Sequence, residues 1–342
     1  MLHGRKERLT IHDLAAAAGV SISTASKALN GTGRMGMETR ERVKRVAHEL
    51  GFRPNALAKG LLSKRSFTIG LLTNDTYGRF TLPVMAGVAE ALVDRGVSVF
   101  LCAIEDDPAL GQIHVEAMLD KQVDGIIATG KRVDRSLPID LSNLPVPVVY
   151  AFTEGAAGSV SFRSDDAQGA RLASEWLIRQ GRHRLAHITG PESFFSVRER
   201  AEAFRLVAGG EAPVLHGTWS EGWGHEAVAH LWDAAVARAQ DVPDAIFCGN
   251  DQIARGVVDA LRERGLKVPQ DVSIIGFDNW EIVAAQMRPP LTTVDMELKE
   301  LGRQAGLTVL ALAEGQVVEP GVRTLPCRLV VRESCGGGEP HS

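Results

Sequence analysis

The sequence of 342 residues contains no run of about eighteen or more apolar residues, so a membrane-spanning helix is not expected. Its first residues, Met1-Leu2-His3-Gly4-Arg5-Lys6, lead into a polar, amphipathic stretch without the continuous apolar core of a secretory leader. Cysteine is scarce. Cys102, Cys248 and Cys327 sit in or beside apolar strand-like runs, Cys335 lies in the C-terminal tail, and none forms a CxxC pair. They read as reduced thiols of a cytoplasmic protein. The common catalytic signatures are also missing: there is no P-loop, GxGxxG, HExxH or GxSxG. His183 and His187 flank the strand start Arg184-Leu185-Ala186 and do not share a helix face, so they make a poor metal pair. Asp165-Asp166 reads better as a helix cap than as a catalytic pair. No catalytic residue, cofactor or metal ion is implied.

The net charge of −4 hides an asymmetry. Met1 to Arg65 carry thirteen Lys/Arg against five Asp/Glu, a net +8, and the rest of the chain carries −12. A basic head on an acidic body suggests a polyanionic partner at one end only.

That head reads as three short helices. Thr10, followed by Asp13 three residues later, opens the first, whose apolar face is Ile11, Leu14, Ala15 and Ala18. Gly19 ends it and Ser21 caps a second helix over 22–29, which closes at Asn30-Gly31. The third runs from about Met37 to Leu50, with Val43, Val46, Ala47 and Leu50 at helical spacing. The Ala18-Gly19-Val20 turn between two short helices has the helix-turn-helix pattern, in which the second helix enters the major groove. Its outward positions make Ile22, Ser23 and Lys27 candidates for base edges: Lys27 for guanine, Ser23 for several edges, Ile22 for a thymine methyl. Thr10, Thr24, Ser26, Asn30 and Asn55 are candidates for phosphates. The segment 55–63 has only eight or nine residues and contains Gly60, too little to hold a helix alone in water. It is either a linker or a helix that forms only on a partner.

From Phe67 onward apolar runs alternate with helical stretches. Strands are expected over Phe67–Thr73, Val97–Ala103, Asp124–Ala128, Val146–Tyr150, Arg184–Thr189, Ala245–Cys248 and Val272–Phe277. Helices are expected near 82–95, 109–121, 166–180, 197–208, 223–237, 250–264 and 297–313. This alternation implies doubly wound parallel sheets, and its length implies two lobes. Ligands of such sheets bind outside the carboxyl ends of the strands, so two lobes can share one cleft. The polar and aromatic residues that follow strands are therefore candidates: Asn74, Asp75, Phe80, Phe152, Arg198, Arg200, Trp219, Asn250, Asp251, Asp278 and Asn279. Amides, guanidinium and carboxylates beside aromatic rings suit a sugar. Each residue also has a plainer reading, Asp251 and Asp278 as helix caps and Trp219 as core.

The stretch T-I-H-D-L-A-A-A-A-G-V-S-I-S-T-A-S-K-A-L-N-G (10–31), then E-T-R-E-R-V (38–43) and L-G-F-R-P-N-A-L-A (50–58), resembles the lactose-repressor (LacI/GalR) family. So do I-T-G-P (188–191), G-N-D-Q-I-A-R-G (249–256), V-P-Q-D-V-S-I-I-G-F-D-N (268–279), P-P-L-T-T-V (289–294) and L-V-V-R-E-S (329–334). The resemblance implies an all-α helix-turn-helix head over 1–53, a hinge over 54–65, and an α/β two-lobed domain like the periplasmic sugar-binding proteins over 66–334. Lobe crossovers are then expected near 162, 293 and 323, and a flexible tail over 335–342. It implies a cytoplasmic repressor, a homodimer on near-palindromic double-stranded operator DNA, controlled by a small-molecule effector, a sugar or sugar derivative. Ala58 and Leu61 match the hinge residues that enter the minor groove, Leu61 as the wedge at the central step. Arg200, Asn250 and Asp278 match effector ligands, Trp219 a stacking residue, and Asn74, Phe80 and Phe152 further cleft positions. Phe152 stands where some sugar-responsive members have a carboxylate, and Ile22 stands where polar residues are common. No leucine heptad follows Ser334, so a tetramerisation helix is not expected. The rivals, an α/β enzyme or an importer's solute-binding protein, do not explain a basic helical head.

Overall fold

The computed structural model describes residues 9–29, 31–52, 65–237 and 242–336. They form two compact units that divide between Ser66 and Phe67. Asn30, Asn55, Ala58 and Leu61, with the segment expected to act as hinge, lie outside the described residues.

In the first unit α1 spans Ile11–Ala18, α2 Ile22–Leu29 and α3 Met37–Glu49. Local chemistry sets each boundary. Thr10 and Asp13 form a reciprocal capping box: the Thr10 amide donates to Asp13 Oδ2 at 2.8 Å, and the Asp13 amide to Thr10 Oγ1 at 3.4 Å. Gly19 takes φ 65°, the left-handed conformation that turns the chain out of α1. The Thr24 amide donates to Ser21 Oγ at 3.1 Å and starts α2. The three helices close on Leu14, Ala15, Ala18, Ala25, Ala28, Val43 and Ala47. Five of these seven side chains are alanine, so the helices pack at short range and little room remains for rearrangement.

The second unit has two six-stranded sheets. The N-lobe sheet has the order β11-β5-β4-β3-β1-β2 and is parallel throughout. Its strands are β1 Thr68–Thr73, β2 Ser98–Ala103, β3 Gly125–Thr129, β4 Val148–Ala151, β5 Val160–Ser164 and β11 Gly321–Leu325, and its main helices are α4 Thr81–Leu92, α5 Pro108–Asp120 and α11 Leu298–Ala313. The C-lobe sheet has the order β12-β10-β9-β8-β6-β7, parallel except for the edge pair β10–β12. Its strands are β6 Leu185–Thr189, β7 Val214–His216, β8 Ala245–Cys248, β9 Ser273–Phe277, β10 Thr292–Asp295 and β12 Arg328–Val330. Its helices are α6 Asp166–Arg179, α7 Phe195–Ala208, α8 Glu221–Ala237, α9 Asp251–Glu263 and the short α10 Glu281–Ala284. The central strands are buried on both faces, as parallel strands covered by helices must be.

The chain passes between lobes three times, after β5, between β10 and α11, and between β11 and β12. Positions 162, 293 and 323 therefore lie on strands, each a few residues before its crossing. One buried cluster, from Ile69 and Leu71 to Phe247 and Phe277, runs through these crossings and joins the lobes. Separate clusters fill the other face of each sheet. Cys335, expected in a flexible tail, is instead buried: its sulfur accepts from Trp176 Nε1 at 3.1 Å and donates to Thr292 Oγ1 at 3.1 Å. All four cysteines are buried and free. No helix among the described residues is long and apolar enough to cross a membrane.

Candidate functional site

The carboxyl ends of both sheets face a cleft of about 620 Å³. Six aromatic residues wall it: Tyr77, Phe80, Phe152, Phe194, Trp219 and Trp280. Phe80 and Phe152 stack at 4.8 Å on the N-lobe side, and Phe194 meets Trp219 edge-on at 5.7 Å on the C-lobe side. Trp219 can sit there because residue 190 is glycine: a Cβ at Gly190 would lie 2.3 Å from the indole ring.

The loop after β1 delivers the N-lobe face. Asp75 Oδ2 accepts from the amides of Phe80 at 2.8 Å and Thr81 at 3.0 Å, which starts α4 and fixes the intervening turn. That turn sends Arg79 across the cleft, where its guanidinium donates to Gln252 Oε1 at 2.8 Å and to Asp278 Oδ2. Burial pulls Arg79 down to about 10, against the opposing charge of Asp251.

The C-lobe face rests on the turn after β9. Asp278 and Asn279 both adopt positive φ, 103° and 48°. Non-glycine residues hold such angles only when their surroundings impose them. Here the amide of Asp278 donates to Val294 O, that of Asn279 to Thr293 Oγ1, and that of Trp280 to Asp251 Oδ2. Arg332 further donates to Asn279 Oδ1 at 2.8 Å. Asp251 is fully buried, and this desolvation raises its carboxyl to about 7, against the lowering effect of its bonds from Thr293 and Trp280.

A second set of contacts closes the cleft at its other end. Arg132 clasps Asp134 with two bonds of 2.9 Å, lies 3.7 Å over the Phe194 ring, and donates to Ser193 O at 3.2 Å. Asp134 Oδ2 accepts from the Phe195 amide at 2.9 Å, so this pair belongs to one lobe and binds the other.

Two comparisons bear on this geometry. Residues 10–55 match the family model of bacterial regulatory proteins, lacI family, and residues 175–335 match that of the periplasmic binding protein-like domain. The chain is 33% identical over 337 residues to the HTH-type transcriptional regulator DegA of Bacillus subtilis, covering 96% of this chain and 98% of that protein. It is 30% identical to the HTH-type transcriptional repressor CytR of Escherichia coli, covering 95% and 96%.

The chain belongs to the lacI family of bacterial regulatory proteins.

Similar solved structures include the lac repressor dimer bound to operator and the anti-inducer ONPF, with a TM-score of 0.71, 27% identity and coverage of 96% and 99%. Another is the complex of the regulator CelR with cellobiose, with a TM-score of 0.66, 28% identity and coverage of 96% and 100%. Like its relatives the chain is a helix-turn-helix transcriptional regulator with a two-lobed α/β domain.

The structure places the residues singled out in the sequence as follows. Ile22, Ser23 and Lys27 stand on the exposed face of α2, with Thr10 exposed and Thr24 and Ser26 half-buried. Phe80, Phe152, Arg200, Trp219, Asn250 and Asp278 all line the cleft. Several of them are already engaged. Arg200, only 3% exposed, is held by Asp166 at 2.7 Å and by Gly249 O at 2.6 Å, with Phe277 beneath it at 3.5 Å. Asn250 Oδ1 caps α9 through the Ile253 amide at 2.7 Å, and that cap is therefore Asn250, not Asp251. Asn74 is not among the lining residues: it donates to Asp106 at 3.0 Å and accepts from the Lys131 amide at 3.2 Å. It holds the loops around it in place. Asp165 caps α6 through Gln168 at 2.9 Å, as the sequence suggested. His187 is buried on Phe247, its ring pulled down to about 3 by desolvation, and no candidate metal cluster occurs among the described residues.

Sequence reasoning missed Arg79, Gln252, Trp280, Arg132, Asp134 and Phe194. The signals were present. Trp280 directly follows Asp278-Asn279, and Arg79 precedes Phe80 in the loop after β1.

Proposed function

We propose that this chain is a cytoplasmic repressor whose operator affinity is set by a neutral sugar or sugar derivative bound in the cleft between the lobes. The observation that carries the reading is the cleft itself, an aromatic-walled space whose carboxylate, amide and guanidinium groups converge from the ends of two parallel sheets. The similarity to CelR, solved with cellobiose, supports a sugar. The similarity to the lac repressor dimer on operator supports a homodimer reading a near-palindromic site. In this reading Ile22, Ser23 and Lys27 meet base edges, and Thr10, Thr24 and Ser26 meet phosphates. Arg200, Asn250, Asp278, Trp219, Phe80 and Phe152 surround the effector, which acts through its different affinities for two lobe arrangements. The chain regulates and does not catalyse.

The test is selection from random DNA duplexes at two salt concentrations, followed by a sugar screen on the recovered site. A palindromic sequence whose affinity falls steeply with salt, and a sugar that changes it in wild type but not in Asp278→Ala, are expected. No enriched sequence at low salt, even with cell metabolites present, would overturn the repressor reading.

A further inference from the structure

Arg79 occupies the cleft in the manner of a ligand. Its planar guanidinium lies 5.3 Å from the centre of the Phe80 ring and 5.0 Å from that of Trp280. Its edge donates to Gln252 Oε1 at 2.8 Å and to Asp278 Oδ2. A cation set over aromatic rings and a donor edge against a carboxylate and an amide oxygen are the contacts that such a site offers a bound molecule. The other cations around the cleft have carboxylates of their own: Arg200 has Asp166, Arg132 has Asp134 and Lys131 has Asp106. None of these three offers an unmatched charge to an anionic ligand.

We propose that Arg79 is the resident occupant of the effector cleft and its specificity-determining residue. It holds the place of a ligand whose hydrogen-bond-donating edge pairs with Asp278 and Gln252, so ligand and guanidinium exclude each other. This rests on the reading of the cleft as the effector site. The ligand class follows from the contacts. An uncharged polyol ring has vicinal hydroxyls that donate to both oxygens and apolar faces that meet the rings. A sugar acid or sugar phosphate at this position would set a second anion against Asp278. Displacing Arg79 also removes a tie between the lobes, so ligand entry and lobe geometry are linked at one residue.

The test uses the full chain and ethylguanidinium as the probe, a copy of the end of the Arg79 side chain, read through tryptophan fluorescence. Arg79→Ala should bind ethylguanidinium saturably and at least about tenfold more tightly than wild type, whose own guanidinium fills the position. Adding Asp278→Asn should abolish that binding, and acetate should bind neither protein. Arg79→Ser is a second variant with the same vacated space, and a cooperative thermal melt establishes that each variant is folded. Equal binding to wild type and Arg79→Ala, no binding to either folded variant, or binding that survives loss of Asp278 would overturn the proposal. Operator binding by wild type is measured in parallel. Its absence with ethylguanidinium rescue intact would overturn the repressor reading alone, and failed rescue with operator binding intact would overturn the role of Arg79 alone.

Discussion

Trp219 owes its place in the cleft wall to the missing side chain of Gly190, whose Cβ would lie 2.3 Å from the indole. Gly190→Val should force the ring out, at about 1–3 kcal/mol of overpacking. A red shift in tryptophan emission and loss of the effector response are expected, and an unshifted spectrum would show that the ring is not seated against Gly190. Asp251 makes a different prediction. Burial holds its carboxyl at about 7, so between pH of about 4 and about 7 the folded protein keeps a proton that the unfolded chain has released. Its contribution is thus complete below that window and is lost as pH rises through it. His187, pulled down to about 3, acts in the opposite sense and withdraws stability as pH falls below about 6.5. The two are separated by comparing variant with parent. The melting temperature of Asp251→Asn relative to wild type should be lowest near pH 4.5 and should rise by pH 7.5, both approximate values set by that window. A pH-independent difference would show that Asp251 does not titrate there.

At the scale of elements, each lobe contains a helix pair that meets backbone to backbone through reciprocal glycines. A Cβ at Gly87 of α4 would lie 1.8 Å from the Lys299 carbonyl oxygen of α11, and one at Gly302 would lie 2.0 Å from that of Val84. In the C-lobe, Gly224 of α8 stands against Ile253 and Gly256 of α9 against Glu221 in the same way. No rotamer relieves a clash with backbone, so the helices themselves must separate. Gly87→Val should cost about 3 kcal/mol, the upper part of the usual range for overpacking. In a domain of this size that lowers the melting temperature by roughly 6–12 °C. Because α4 begins beside Phe80, the same variant should also disturb the Arg79–Asp278 contact. A melting temperature within about a degree of wild type would mean that the helices do not meet this closely.

For the whole molecule, the contacts across the cleft set the balance between closed and open lobes. Arg132 joins Asp134 to Ser193 and to the Phe194 ring from a position about one-fifth exposed, so its bonds are only partly screened. Arg132→Ala should lower the closed-to-open ratio by about tenfold, the equivalent of one or two charge-assisted contacts. Small-angle scattering should then show a larger radius of gyration without effector and a return toward the wild-type value on saturation. An unchanged radius in the free variant would show that this end of the cleft does not govern closure.

The sequence by itself determined the head, the strand–helix alternation and the family. Those signals are local: the Thr10–Asp13 box, the Gly19 turn and the Ser21 cap each act within a few residues, and apolar runs mark the buried central strands β1, β3, β6, β8 and β9. Strands β5, β11 and β12 lack such runs; β11 is largely exposed, and only a neighbouring strand's hydrogen bonds make it a strand at all. The tertiary structure alone decided the interior of the cleft. It brought Arg79 to Gln252 and Asp278 across 173 and 199 residues of chain, turned Asn74 away toward Asp106, and buried Cys335 beneath Trp176. Residue type and spacing announce which side chains can bond. Which of them do bond is settled only by the packed fold, within a lobe for Asn74 and Cys335 and across the cleft for Arg79, because hydrogen-bond partners must meet within about 3 Å and periodicity along the chain carries no such distance.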